Sequence, residues 1–141
     1  MAAWQFYCNI ISSAKYIDKM SCDEMILWND IPCPKCEIDF LECKKSWAEN
    51  IVQYGNIDET CIEFIYDENT LTEILCRLDL RTLTKRMLTQ IVEYVQSIES
   101  CFLVDGNIYP PKTENMISVM KQSKAYQYCK NPLEYIKTLK G

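Results

Sequence analysis

Histidine is missing from these 141 residues. The side chain that exchanges protons nearest neutral pH is therefore absent. With it go Ser-His-Asp and Cys-His catalysis and every zinc site that needs an imidazole. An enzyme built on this chain would depend on carboxylates, Lys, Tyr or Cys alone. Glycine is nearly as scarce, with three in the whole chain, so a Gly-rich phosphate loop is excluded. No apolar run approaches the roughly 20 residues of a membrane helix. The opening Met1-Ala-Ala-Trp4 has no basic stretch ahead of an apolar one, so no signal peptide is read there. Lys and Arg are absent between Lys45 and Arg77.

Carboxylates fill that same interval. Glu49, Asp58, Glu59, Glu63, Asp67, Glu68 and Glu73 all lie in it, and Asp79 follows. The last third has the opposite balance, with Lys112, Lys121, Lys124, Lys130, Lys137 and Lys140 against Glu114 and Glu134. The net charge of −5 argues against nucleic-acid binding, which needs a basic face. An acidic segment is either a solvated edge that keeps the chain soluble or a docking surface that steers a basic partner. Adjacent pairs such as Asp23-Glu24, Asp58-Glu59 and Asp67-Glu68 do not converge on one substrate from a strand or helix. Acid/base work needs one carboxyl raised and one ordinary, and nothing in these pairs points to that, so no enzyme is expected.

Cysteine is abundant, with nine residues at 8, 22, 33, 36, 43, 61, 76, 101 and 129. The number is odd and the spacing does not repeat. Several fall at apolar positions, as Cys43 and Cys76 do. With no signal peptide, they read as reduced thiols serving as small hydrophobes in a cytosol. Cys33-Pro-Lys-Cys36 is the single CxxC. Half a zinc site or a redox pair would use that spacing. The chain has no second such pair and no βαβ pattern before it, so these two are weak metal or redox candidates and no cofactor is expected.

The pattern of apolar residues predicts an α+β fold in a single domain spanning 1–141. Trp4 to Ile11 reads as a strand, and Ser12 to Lys19 as a polar loop. Met25 to Trp28 fits a strand or a capped turn after Ser21. Ile31-Pro32-Cys33-Pro34 is a break. A helix is expected over about 37–54, with Phe40, Cys43, Trp47, Ile51 and Tyr54 as its stripe and Gly55 as its cap. A central antiparallel hairpin follows at about 60–81. Ile62, Phe64 and Tyr66 alternate with polar neighbours, Asp67 to Thr70 turns, and Ile74, Cys76, Leu78 and Leu80 alternate again. Leu83, Met87, Ile91, Val95 and Ile98 then predict a long helix over about 83–99, capped by Thr82 and packed on the sheet. Cys101 to Val104, Asp105-Gly106 and Asn107 to Tyr109 predict a small hairpin. Short C-terminal helices are expected from Thr113, from Lys124 to Cys129, and from Pro132.

Arg77, Asp79 and Arg81 project to one side of the second hairpin strand, with Glu63 and Asp67 opposite them on the first. This predicts cross-strand ion pairs worth about 0.2–1 kcal/mol each. Trp47, on its helical stripe, is expected in the core. Trp28, beside Asn29-Asp30, is expected to be partly exposed and is the candidate aromatic anchor.

Trp28…Ile31-Pro32, then Ser46-Trp47, then Tyr54-Gly55 leading into an acidic hairpin, is a layout that resembles bacterial immunity proteins of the contact-dependent growth inhibition type. Arg77-Leu-Asp-Leu-Arg81 and the ending Ser123-Lys-Ala125…Asn131-Pro132-Leu133-Glu134-Tyr135 are similar to words in small proteins encoded beside such toxins. The resemblance implies a cytoplasmic, non-enzymatic protein that occludes one cognate toxin domain. A basic, nuclease-like toxin would suit the acidic surface of Asp58, Glu59, Glu63, Asp67, Glu68, Glu73 and Asp79. Neither nucleic acid nor a membrane is expected as partner. Two alternatives remain: a virus-encoded, all-helical host modulator of the Bcl-2-like type, for which Leu27-Trp28-Asn29 is the similar word, and a zinc or redox protein using Cys33 and Cys36.

Overall fold

The computed structural model describes residues 2–13, 28, 33 and 35–130. In chain order these form β1 (Gln5–Ser12), β2 (Cys43–Lys44), β3 (Ile51–Gly55), β4 (Cys61–Asp67), β5 (Thr70–Asp79), α1 (Lys85–Ser97), β6 (Ser100–Val104), β7 (Asn107–Tyr109), α2 (Thr113–Lys121) and α3 (Lys124–Lys130). The fold mixes sheet and helix, and the sheet dominates. Its seven strands are all antiparallel, in the order β2-β3-β4-β5-β1-β6-β7. The N-terminal strand therefore sits between β5 and β6. The outermost strands are short: β2 has two residues and β7 has three, with Pro110-Pro111 directly after it.

Period-two alternation divides the sheet into two faces. Phe6, Cys8 and Ile10 of β1, Ile62 and Phe64 of β4, Ile74, Cys76 and Leu78 of β5, and Phe102 of β6 form the main core. Buried residues of all three helices join that core, among them Leu88, Ile91, Val95, Met116 and Ala125. Tyr94 of α1 meets Phe64 edge-on, with centroids 6.4 Å apart. The opposite face carries Tyr7, Asn9, Gln53, Cys61, Glu63, Glu73, Leu75 and Arg77 by register. A smaller apolar cluster of Ile11, Cys101 and Ile108 lies on that side.

The central hairpin turns through Glu68 and Asn69, with Asp67 opposite Thr70. Ile65 faces Glu73 while Tyr66 faces Leu71, so Thr72 is an extra residue in β5. The bulge takes its carbonyl out of the ladder. Thr72 O accepts from the Trp28 backbone N–H at 2.8 Å, and its hydroxyl donates to Ile65 O at 3.0 Å. The indole N–H of Trp28 donates to Ile10 O at 2.9 Å, where the β1–β5 pairing ends. Trp28 is thus 2% exposed and belongs to the core. This corrects the expectation of a partly exposed anchor: the two N–H groups find carbonyls freed by the bulge and by the end of the ladder, and the ring fills the core beside them.

The helix expected over 37–54 is a loop followed by β2 and β3. Ile51-Val52-Gln53-Tyr54 suits a strand as well as a helix, and the unpaired edge of β4 decides the matter by offering five antiparallel partners, Cys61 to Ile65. Cys43 and Trp47 then form no buried stripe, since Cys43 is exposed and Trp47 is 75% exposed. Gly55 does adopt a left-handed φ of 85°, but it closes a strand. The cap of α1 is Thr84, whose hydroxyl accepts from Met87 N at 3.1 Å, two residues after the expected Thr82. The hairpin at Asp105-Gly106 has positive φ at both turn residues, 49° and 79°, as a type I′ turn requires. Seven strands exclude the all-helical architecture. The expectations for Ser21 to Leu27, Ile31-Pro32 and the helix from Pro132 lie outside the described residues.

Candidate interaction surface

The expected acidic residues do not share one surface. Asp58 and Glu59 lie in the connection from β3 to β4, whereas Asp67 and Glu68 lie at the other end of β4. The seven residues of β4 hold the two groups roughly 20 Å apart at about 3.3 Å per residue. Glu63 and Asp79 are 1% and 0% exposed, so neither can meet a partner directly. Glu63 pairs with Arg77, whose guanidinium also lies 5.6 Å over the Tyr7 ring. Glu73 is half-buried and accepts from Asn9 Nδ2 at 3.0 Å.

The two ends differ in what stands beside their carboxylates. At the Asp58 end, Arg81 binds Asp79 through Nε and Nη2, both at 2.9 Å, and lies 3.9 Å over the Trp4 ring. The Asp79 hydrogen bonds raise the Arg81 pKa most, and the nearby charge of Asp58 contributes to the rise. Trp4 Nε1 donates to Asp58 O at 2.8 Å, and Gln5 Nε2 ties Ile57 O and Glu59 O at 2.9 and 2.7 Å. That turn is fastened to the start of β1 and lies near Arg81, whose ion pair is with Asp79; Asp58 and Glu59 form none among the described residues.

At the Asp67 end no carboxylate pairs with a cation among the described residues. Among the described residues the ion pairs are Lys44–Glu42, Arg77–Glu63 and Arg81–Asp79, so Glu49, Asp67 and Glu68 form none. Glu68 holds a φ of 57°, a left-handed conformation that side chains other than Asn, Asp and His seldom adopt. The loop from Lys45 to Asn50 stands beside this turn, because Asn50 O accepts from Tyr66 N at 2.9 Å and Asn50 Nδ2 donates to Tyr66 O at 3.1 Å. Ser46 Oγ accepts from Ala48 N at 3.1 Å, and Ala48 O accepts from Ile51 N at 3.3 Å. This braced loop displays Trp47. The helical spacing concealed it; the sign available in the sequence was the run Lys44-Lys45-Ser46 before it and Glu49-Asn50 after it, polar residues that suit a surface turn.

Cys33 and Cys36 are half-buried against the main core. Cys33 Sγ donates to Lys35 O at 3.5 Å, and the Tyr94 hydroxyl donates to the same carbonyl at 2.5 Å. Burial pushes the Cys33 thiol up to about 11 and the nearby Tyr66 phenol up to about 12. Redox and metal-binding thiols need the opposite shift, toward the thiolate. Among the described residues no three His, Cys, Asp or Glu side chains gather as a metal site, and no helix is long and apolar enough to cross a membrane.

Two open grooves flank α1. One of about 380 Å³ runs between the β3–β4 turn and Thr84, and Glu42 and Glu59 line it beside Lys44. The other, about 320 Å³, lies between the Lys35–Phe40 segment and Gln90, Glu93 and Tyr94. Neither holds a converging set of catalytic groups. No family model, curated protein or solved structure matches the chain.

Proposed function

We propose that this chain acts by binding, without catalysis, and that it neutralises a basic protein of the toxin class by covering its positive surface. The observation that carries the reading is the end of the sheet where Glu49, Asp67 and Glu68 meet no cation among the described residues, while at the opposite end Arg81, held by Asp79, lies near Asp58. Uncompensated charge on a fixed scaffold raises the rate of encounter with an opposite surface and disfavours like-charged partners. The hairpin seated on the core beneath it, with α1 behind, supplies the rigidity that keeps release slow.

The experiment is co-production with a basic nuclease toxin encoded beside this chain's gene. Growth should be restored, and the purified complex should be 1:1. Its association rate should fall steeply from 50 to 500 mM salt, and Asp67→Asn/Glu68→Gln should lower the rate at low salt without changing the fold. Association that ignores ionic strength would sink the reading.

A further inference from the structure

We infer that Trp47 is the anchor of this surface, and that it takes an arginine of the partner on its ring face; the inference rests on the binding function proposed above. Large aromatic side chains rarely stand free on a protein surface, and those that do are the residue type on which interfaces concentrate their energy. Trp47 is 75% exposed. It is not on a loose tail: Ser46, Ala48 and Asn50 brace its loop against itself and against Tyr66. A loop already held in place loses little backbone entropy when it is covered.

The molecule shows at its other end what such a ring accepts. There the Arg81 guanidinium lies over Trp4 at 3.9 Å while binding the Asp79 carboxylate at 2.9 Å. Trp47 has the same ingredients less one. Its loop stands beside the turn that carries Asp67 and Glu68, with Glu49 two residues on, and no cation lies over its ring among the described residues. Arginine fits better than lysine, because a planar, weakly hydrated guanidinium stacks on the ring and still donates from its edge to a carboxylate. Lys45, exposed two residues before Trp47, reduces the local negative charge but does not remove it.

The test is binding of synthetic nona-arginine and nona-lysine peptides to the full chain at low salt, by calorimetry and by tryptophan emission. Nona-arginine should bind more tightly than nona-lysine. Trp47→Ala should weaken nona-arginine about 2- to 30-fold, the span from an exposed to a desolvated cation–π contact, and should nearly abolish the preference for arginine. Trp47→Phe should restore part of both. Asp67→Asn/Glu68→Gln should weaken both peptides, and Asp58→Asn/Glu59→Gln, with equal charge loss at the far end, should weaken them far less. If Trp47→Ala binds like the parent while Asp67→Asn/Glu68→Gln does not, the anchor is wrong and the acidic reading stands. If Trp47→Ala weakens binding and Asp67→Asn/Glu68→Gln has no effect, the anchor stands and the acidic reading falls. Equal loss from both double variants overturns the assignment to this end. The high exposure of Trp47 means its variants should melt like the parent, which circular dichroism checks.

Discussion

Glu63 and Arg77 pair on the diagonal of the hairpin: Glu63 faces Leu75 across the ladder and Arg77 faces Cys61. Their side chains are 2% and 17% exposed, so the pair lies inside the molecule. An exposed cross-strand pair is worth a few tenths of a kcal/mol, but losing one partner of a buried pair leaves a desolvated charge. Arg77→Met should therefore destabilise the fold by about 3–5 kcal/mol in urea titration. Glu63→Gln combined with Arg77→Met should recover more than half of that. A loss below about 1 kcal/mol for Arg77→Met would show that the carboxylate finds water.

Asp79 supplies a pH dependence with a definite sign. Burial by itself raises its pKa, but the Arg81 side-chain and backbone hydrogen bonds and the Arg81 charge outweigh this and leave it below the ordinary value. A carboxyl depressed on folding stabilises above its unfolded pKa, about 3.9, and that stability drains as pH falls through the folded value. Asp79→Asn should be less stable than the parent at pH 7 and should show a shallower loss below about pH 4. Urea midpoints between pH 2 and 7 measure this, and identical acid limbs would contradict it.

Gly55 joins β3 to the acidic turn at φ 85°, and a Cβ there would lie 2.2 Å from Thr60 O. Relaxation would have to move backbone. Gly55→Ala should cost roughly 2–4 kcal/mol, read as a drop in melting temperature. Substitution at the exposed neighbour Asn56 should be far milder.

Trp28→Phe should cost about 2–3 kcal/mol, because it strands the Ile10 carbonyl and leaves part of the ring volume empty. Its emission in the parent should be blue-shifted and inaccessible to iodide, whereas that of Trp47 should be quenched readily. Single-tryptophan variants separate the two signals.

These two tryptophans also mark how far the sequence could be read. Strand β1, the β4–β5 hairpin, α1 and the Asp105-Gly106 turn were legible because each depends on residues next to one another: alternation, a cap, or a turn with its own φ requirement. The stretch from Phe40 to Tyr54 was not, since its spacing satisfied a helix and its fate was set by the distant edge of β4. Trp28 became core through carbonyls of Ile10 and Thr72, and nothing in its own neighbourhood foretold them. Likewise the count of carboxylates was plain, but their division between two ends of β4, and the burial of Glu63 and Asp79, followed from strand register and from two arginines.

Thiol reactivity should follow burial. Cys8, Cys61 and Cys76 are at most 1% exposed, and burial pushes Cys61 up to about 11, which leaves about one thiolate in a thousand at pH 8. Cys43 is exposed. In a Cys22→Ser background, which removes a thiol outside the described residues, a disulfide reagent should modify Cys43 first in the native protein. Cys43→Ser should remove that fast phase, and Cys8, Cys61 and Cys76 should respond only in denaturant. Rapid native labelling of Cys61 would contradict the packing of its face.

The brevity of the two outermost strands governs how the protein behaves in excess. A rim of two residues on one side, and of three halted by paired prolines on the other, offers a neighbouring copy almost no ladder to extend. Joining one sheet to another through these two strands should therefore gain little.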